Sequence, residues 1–183
     1  MNLYIKDMVC DRCITAVRQT LEKLGYTLLS IRLGEVQLVE TLDESQILEV
    51  NQALIKLGFE LLDDKRKQIV ERVKIVVRDL IYSEPKSLKK LTPSVFIADN
   101  VGKDYKYLSG LFSEAEGITI EHYMIYLKIE KVKELLVYDE LSLNQIADQL
   151  YYSSVQHLSS QFKKSTGLTP SNFKQLKSKT KYN

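Results

Sequence analysis

Apolar residues near the start of the chain recur at the three- and four-residue intervals of a helix in two separate stretches. The two stripes are Ile14, Val17, Leu21 and Leu24, and then Ile47, Val50, Leu54 and Leu57. Each stripe is the pattern by which an amphipathic helix buries one face. A glycine follows each stripe, Gly25 and Gly58, and glycine readily takes the positive φ of a helix C-cap. The pattern therefore predicts two similar helices that end in the same way.

Short runs of β-branched, aromatic and alternating apolar residues flank the two predicted helices. They predict four strands, over residues 3–6, 26–32, 35–40 and 59–62, with Gly34 in the turn of the central hairpin. Thr41 and Glu44 have the spacing of a capping box for the second helix. The resulting order is βαββαβ, which predicts an α+β fold that begins with a two-layer ferredoxin-like sandwich over residues 1–64.

A third apolar stripe predicts a helix in the connecting segment, residues 65–83. The helix is expected over residues 65–82, with Ile69, Val73, Val76 and Leu80 on one face. Glu84-Pro85 should end it, because the residue before a proline disfavours the helical region.

The second half of the chain contains a repeat with an offset of about 50 residues. The recurring segments are Ile97-Ala98-Asp99 with Ile146-Ala147-Asp148, Leu108-Ser109 with Leu158-Ser159, Phe112 with Phe162, and Gly117-Ile118-Thr119 with Gly167-Leu168-Thr169. Each copy predicts a helix, a tight turn and a second helix, and one long helix over residues 120–138 joins the copies. Caps are expected at Thr92-Pro93, Asp104, the Ser142–Gln145 box, and Ser153 or Ser154. The second half is thus expected to be all-helical, with two helix-turn-helix motifs.

Charge separates the two halves. The net charge of the 183 residues is only +2, but residues 1–64 carry 6 basic and 11 acidic side chains, and the remainder carries 20 and 13. Such asymmetry indicates that the basic half faces a polyanion. No apolar run is long enough to cross a membrane and no secretion signal opens the chain, so a cytoplasmic location is expected.

The basic half resembles the DNA-binding domain of the AraC/XylS family over residues 84–175. The match runs through Ile146-Ala147, Tyr152-Ser153, Leu158-Ser159, Phe162-Lys163-Lys164, Gly167-Leu168-Thr169-Pro170 and Phe173-Lys174. The resemblance implies base-facing side chains at Lys106, Ser109, Gly110, Val155, Gln156, Ser159 and Ser160. It implies phosphate contacts at Lys103, Lys163 and Lys164. The expected partner is double-stranded DNA.

This half departs from the family in two informative ways. Gly110 and Ser160 stand where the family usually has arginine, and no arginine follows Arg78. The bidentate contact of arginine with guanine is therefore missing, so an A·T-leaning site with shape readout is expected. Tyr151 stands where a glycine commonly starts the second turn, so that turn is expected to be altered.

The N-terminal part resembles the heavy-metal-associated domain of copper chaperones and P-type ATPases. The match is Met8-Val9-Cys10-Asp11-Arg12-Cys13, together with Leu57-Gly58-Phe59. Cys10 and Cys13 would lie at the positive end of the first helix, which favours thiolates. Two close thiolates suit Cu(I), or Zn(II) with an added ligand. Asp7 replaces the usual glycine, and a redox pair or a domain kept for protein contacts remain as alternatives.

Together these features predict a non-enzymatic transcription regulator in which a metal-responsive N-terminal domain controls a two-motif DNA reader. RNA polymerase is a further candidate partner, and both a monomer and a homodimer fit the sequence. Residues 176–183 are expected to be a basic tail. The alternative is a metallochaperone or redox sensor whose C-terminal helices bind a protein partner.

Overall fold

The computed structural model describes residues 1–82, 92–138 and 141–180, without the side chains of residues 177–180. The expected helix stop at Glu84-Pro85 and the end of the predicted basic tail lie outside these residues. The chain forms two compact modules. The N-terminal module is Met1–Val76 with Ser94–Ala115, and the C-terminal module is Val77–Pro93 with Glu116–Asn183. The domain limits predicted from sequence stay predictions. Among the described residues, no helix is long and apolar enough to cross a membrane.

The N-terminal module begins with a small antiparallel sheet and two helices. The strands are β1 (Asn2–Lys6), β2 (Leu28–Arg32), β3 (Glu35–Leu38) and β4 (Glu60–Leu61), and the helices are α1 (Asp11–Lys23) and α2 (Glu44–Ile55). The sheet order is β2-β3-β1-β4, and every neighbouring pair is antiparallel. Side chains of α1, α2 and one sheet face share a core around Ile5, Val17, Leu21, Val36 and Leu54. The predicted succession of elements, βαββαβ, is confirmed for this region.

Three predicted strands are shorter than expected. The strand predicted over residues 35–40 ends at Leu38, and two strands start late because the aromatic residues expected to open them have another role. The N–H of Tyr26 donates to the carbonyl of Leu21 at 3.0 Å, and the N–H of Phe59 donates to that of Leu54 at 3.1 Å. These bonds span five residues and end the preceding helices, with the intervening glycines at φ 89° and 83°. The two aromatic rings are buried in the core. Strand pairing therefore starts only after them.

The expected capping box of α2 was wrong by two residues. Asp43, rather than Thr41, is the N-cap, and its carboxylate accepts from the N–H of Gln46 at 2.9 Å. The Gln46 side chain accepts from the N–H of Asp43 in return, at 3.0 Å. A carboxylate accepts such a bond more strongly than a hydroxyl does, which explains why the helix starts at Asp43. These backbone and Ser45 hydrogen bonds lower the pKa of Asp43.

Helix α3 (Lys65–Tyr82) has the predicted bounds. Tyr4 points to the sheet face opposite to Ile5 because side chains alternate along a strand, and it is buried. Gly34 at the β2–β3 turn is so close to α3 that a Cβ there would lie 2.8 Å from Glu71 and 3.1 Å from Ile75. Helix α3 thus lies against the sheet at this turn.

Two further helices complete the N-terminal module, α4 (Pro93–Val101) and α5 (Tyr105–Glu116). The C-terminal module contains α6 (Ile120–Tyr138), α7 (Leu143–Gln149), α8 (Val155–Thr166) and α9 (Pro170–Thr180). Helix α9 packs on α6 and α8, and Phe173 meets Phe162 edge to face with ring centroids 5.5 Å apart. Apart from the sheet, the described chain is helical.

Candidate nucleic-acid interface

The first helix-turn-helix motif consists of α4, the turn after it and α5. Its apolar side chains Ile97, Leu108 and Phe112 are fully buried. The turn closes through a hydrogen bond from the N–H of Lys103 to the carbonyl of Ala98 at 3.3 Å, with Gly102 at φ 73°. The side chain of Asp104 accepts from the N–H of Tyr107 at 3.2 Å. The predicted cap of α5 is therefore confirmed.

The predicted DNA-facing residues of the first motif lie on or just before α5. Lys103, Lys106 and Gly110 are exposed, and Ser109 is half-buried. A Cβ added at Gly110 would meet no atom within 4 Å, so glycine is not required there by packing. This part of α5 offers a lysine beside a stretch of bare backbone, a surface that a nucleic-acid strand can approach closely.

The second helix-turn-helix motif consists of α7, the turn after it and α8, and it repeats the first in detail. Ile146, Leu158 and Phe162 are fully buried. The N–H of Tyr152 donates to the carbonyl of Ala147 at 2.9 Å, as Lys103 does to Ala98 in the first motif. Ser142 and Gln145 form the predicted capping box of α7, and Ser154 caps α8 by accepting from the N–H of His157 at 3.1 Å.

Tyr151 takes the left-handed backbone conformation that glycine would take more easily. Its φ is 55°, against 73° at Gly102 in the first motif. The turn keeps its closing hydrogen bond, but the N–H of Tyr151 donates to the carbonyl of Asp148 at 3.2 Å, whereas the N–H of Gly102 donates to the carbonyl of Ala98 at 2.8 Å. The turn is therefore slightly altered, as expected. A non-glycine residue costs roughly 1–2 kcal/mol in this conformation.

The predicted DNA-facing residues of the second motif form a polar surface along α8. Gln156, Ser160, Lys163 and Lys164 are exposed, and Val155 and Ser159 are half-buried. Lys163 and Lys164 lie in the last turn of the helix, where cations interact favourably with the helix dipole. His157 is exposed, and its Nδ1 lies 3.1 Å from the Ser153 hydroxyl. This face of α8 carries donors, acceptors and positive charge but no carboxylate.

A buried tyrosine supports the start of α8, a role that sequence reasoning missed. Tyr152 donates from its hydroxyl to Oε1 of Gln161 at 2.7 Å. The ring of His157 meets it edge-on at 5.4 Å, and Nζ of Lys128 lies 5.0 Å from the centre of its ring. Burial raises the pKa of Tyr152 to about 12 and lowers the pKa of Lys128. The Tyr152-Ser153 pair in the family motif was the only sequence signal here.

The cysteine pair is a second candidate site, at the start of α1. Cys10 is the N-cap residue and is exposed, Cys13 is half-buried, and their Sγ atoms are 3.3 Å apart. Burial raises the pKa of the Cys13 thiol, but hydrogen bonds to the Val9 backbone and the Cys10 thiol outweigh it, so the pKa is lowered. Asp7 has φ 69°, a left-handed conformation that glycine takes more easily. Among the described residues, no group of three or more His, Cys, Asp or Glu side chains could hold a metal ion.

Comparison with known proteins defines the class of the second half. Residues 97–176, a little under half of the chain, match the family model described as a helix-turn-helix domain. The C-terminal region of this chain is an AraC-type helix-turn-helix DNA-binding domain.

Particular relatives agree with this class. The xylose operon regulatory protein of Escherichia coli (strain K12) is 37% identical over 83 residues, 45% of this chain and 21% of that protein. The uncharacterized HTH-type transcriptional regulator YtdP of Bacillus subtilis (strain 168) is 31% identical over 81 residues, 44% of this chain and 10% of that protein. The match thus spans about a fifth of the length of the first regulator and a tenth of that of the second.

A solved structure with the same helical fold is the C-terminal domain of AraT, a response regulator from Geobacillus stearothermophilus. The TM-score is 0.52 and the identity is 26%, and the match covers 62% of this chain and 88% of that chain. A DNA-binding transcriptional dual regulator from Escherichia coli K-12 has a TM-score of 0.51 at 18% identity, covering 61% and 93%. The second likeness shows the fold alone.

Proposed function

We propose that this chain is a sequence-specific DNA-binding transcription regulator. The observation that carries the proposal is the duplicated helix-turn-helix motif within residues 97–176, in which both recognition helices bury their apolar side and expose a polar one. Recognition helices of this kind enter the major groove, and successive major-groove faces of one side of a duplex lie about one helical turn, roughly 34 Å, apart. DNA is therefore the partner that explains why the motif occurs twice.

Each predicted site residue has a role in this proposal. Lys103, Lys163 and Lys164 neutralise phosphates, which sets the position of the protein on the duplex. Gln156 pairs with adenine, and Val155 contacts the methyl group of thymine. Lys106, Ser109, Gly110, Ser159 and Ser160 face the groove. Without arginine on either recognition helix, the preferred site is A·T-leaning and depends on the shape of the duplex.

Selection of duplexes from a random library by the full chain tests this proposal. We expect an A·T-leaning motif, and loss of preference at one position in Gln156→Ala, with Gln175→Ala on α9 as the matched control. The affinity should fall by roughly fortyfold or more between 50 and 200 mM salt, since the three lysine–phosphate contacts release counterions. A metallochaperone docking on a protein would be less sensitive to salt. A G-rich motif would contradict the proposed readout.

We further propose that the N-terminal sandwich is ferredoxin-like and of the heavy-metal-associated type. Its strand order β2-β3-β1-β4 with two crossover helices supports this. Cys10 and Cys13, whose Sγ atoms lie 3.3 Å apart, would hold one soft metal ion, because thiolates are the ligands that soft ions prefer. Two thiolates without further protein ligands suit Cu(I), and Zn(II) would need added ligands, for example from a second chain in a homodimer.

Metal binding at this loop can affect the first helix-turn-helix motif through α3, which contacts both the sheet and that motif within the N-terminal module. Helix α3 packs on the sheet through Glu71 and Ile75 at Gly34. The same helix contacts the first motif, because Nη2 of Arg72 donates to the carbonyl of Asn100 at 2.9 Å. The change that metal causes in the free energy of DNA binding equals the difference in the free energy of metal binding between the DNA-bound and the DNA-free chain.

DNA-binding titrations with and without Cu(I) or Zn(II) test the sensor role, and Cys10→Ser is the variant that should lose the response. Ser45→Ala, on α2, is the matched control. Treatment with oxidised glutathione tests the redox alternative, because sulfurs 3.3 Å apart can join as a disulfide while the glutathione is reduced. Identical DNA affinity with and without metal would contradict the sensor proposal and leave the DNA proposal standing.

A further inference from the structure

The two recognition helices differ at their C-terminal ends. The lysines at positions 163 and 164 of α8 correspond, at the offset of 50 residues, to Ser113 and Glu114 of α5. Where the second motif presents two positive charges, the first therefore presents a hydroxyl and a carboxylate. A carboxylate at this place would repel a DNA phosphate unless a cation stood in front of it.

Such a cation is present, and it comes from outside the motif. Nη2 of Arg66, in the first turns of α3, donates to Oε2 of Glu114 at 2.7 Å. Both side chains are exposed, at 59% for Arg66 and 67% for Glu114, and both belong to the N-terminal module. The pair therefore places a guanidinium beside Glu114, the residue that corresponds to Lys164 in the second motif.

Glu114 lies at a place on α5 that is suited to a contact with the DNA backbone. Lys106, Gly110 and Glu114 follow one another at four-residue spacing, so each lies about 40° further around the helix than the last. Glu114 thus borders the stripe that faces the groove, where phosphates flank the bases. Gly110 has no side chain, and a Cβ built there would meet no atom within 4 Å. This residue therefore leaves open space between the helix and a bound duplex.

We propose that Arg66 contacts the DNA backbone beside the first recognition helix and that Glu114 holds it there. This inference rests on the proposed function of the chain. Arginine has five N–H donors, and the bond to Glu114 uses one of them. A phosphate can therefore bind to the outer edge of the same guanidinium, with its geometry already set by the carboxylate.

The contact ties DNA binding to the helix that covers the sheet. Arg66 is on α3, and α3 also carries the Glu71 and Ile75 side chains that pack on Gly34. A displacement of α3 on the sheet would move a phosphate contact of the first motif. An arginine within α5 itself would not have this dependence.

Fluorescence anisotropy with a labelled 30-base-pair duplex recovered by selection with the full chain tests the inference. In Arg66→Ala we expect the affinity to fall on the order of fivefold, as for one charge-assisted contact. The slope of log affinity against log salt should decrease in size by about one. In Arg66→Ala/Glu114→Lys, which copies the lysine of the second motif, the affinity and the slope should recover.

Arg18→Ala is the matched control, because Arg18 forms an exposed pair with Glu22 on α1 at 3.9 Å and its loss changes the net charge equally. Circular dichroism and the thermal midpoint verify that each variant is folded. An unchanged slope in Arg66→Ala, an equal loss in Arg18→Ala, or no recovery in the folded double variant would overturn the inference while the DNA-binding proposal stands. No binding by the unchanged chain would overturn both.

Discussion

The two helix-turn-helix motifs have the same backbone design and opposite surface charge. Their turns close by equivalent hydrogen bonds, from Lys103 to Ala98 and from Tyr152 to Ala147. Residues 92–119 carry two lysines and four acidic residues, whereas residues 142–169 carry two lysines and one acidic residue. The fold therefore depends on a few buried and turn positions that recur, and the surfaces are free to differ.

The difference implies unequal shares in DNA binding. The second motif has its lysines on the recognition helix itself, at Lys163 and Lys164, and α9 adds Lys174. The first motif has Lys103 and Lys106 but also Glu114, which is paired with Arg66 of α3. We therefore expect the second motif to bind phosphates through its own lysines, and the first motif to depend also on Arg66 of α3.

The largest expected effect tests what the motifs share. Phe112 and Phe162 are equivalent and fully buried, so Phe112→Ala and Phe162→Ala should each lower the free energy of unfolding by about 3–5 kcal/mol. Urea denaturation followed by circular dichroism measures this. Tyr107→Ala, at an exposed position of α5, is the control and should change stability by less than about 0.5 kcal/mol. A loss below 1 kcal/mol in either phenylalanine variant would contradict the common design.

The second effect is a pH dependence of stability that only the second motif should show. Burial raises the pKa of Tyr152 from 10.0 to about 12, and the equivalent residue in the first motif is the exposed Lys103. The protonated phenol is favoured in the fold, so its contribution is complete below pH 10 and is lost as the pH rises towards 12. The whole contribution is about 2–3 kcal/mol.

Stability measured between pH 9 and pH 11 should therefore fall less in Tyr152→Phe than in the unchanged chain. Burial lowers the pKa of the neighbouring Lys128, which gives stability the opposite slope and remains in both proteins. Tyr151→Phe, at an exposed neighbouring position, is the control and should keep the alkaline loss. Equal pH profiles for the unchanged chain and Tyr152→Phe would refute the prediction.

The third effect concerns charge. Lys163→Ala/Lys164→Ala should lower the affinity for a selected duplex by roughly tenfold to hundredfold at moderate salt, with a salt slope smaller by about two. Lys103→Ala/Lys106→Ala removes the same charge from the first motif and should cost less, because that motif also carries four acidic residues and Arg66 remains. Anisotropy titrations at several salt concentrations measure both. A larger loss in the first pair would reverse the proposed division between the motifs.

Much of this architecture could be predicted from local patterns. The spacing of apolar residues predicted α3 with its observed bounds, and the Ser142–Gln145 box and the cap at Asp104 were found. Local signals also misled where two options were close in sequence. Asp43 took the capping role expected of Thr41, because its carboxylate is the stronger acceptor for the first turn of α2.

The contacts that carry the functional proposals could not be predicted in this way. Arg66 and Glu114 are 48 residues apart, and no periodicity links them. The same holds for Gly34 against Glu71, where only the packing of α3 on the sheet shows why the turn is close to another helix. The start of β2 also depended on contacts that the local sequence does not show. The side chain of Tyr26 is buried in the core, and its N–H donates to the end of α1 instead of to a neighbouring strand.

The smallest expected effect concerns the residue with positive φ in each turn. Tyr151 has φ 55° and Gly102 has φ 73°, so exchanging glycine at these equivalent positions tests the strain directly. Tyr151→Gly should raise the free energy of unfolding by about 1 kcal/mol, because relief of the left-handed strain exceeds the entropy that glycine adds to the unfolded chain. Gly102→Ala should lower it by about 1 kcal/mol, and since a Cβ there meets no atom within 4 Å, that cost is conformational rather than steric. Urea denaturation of both variants measures the changes. Changes of the same sign at the two positions would show that the turns are not equivalent, despite their shared hydrogen bonds.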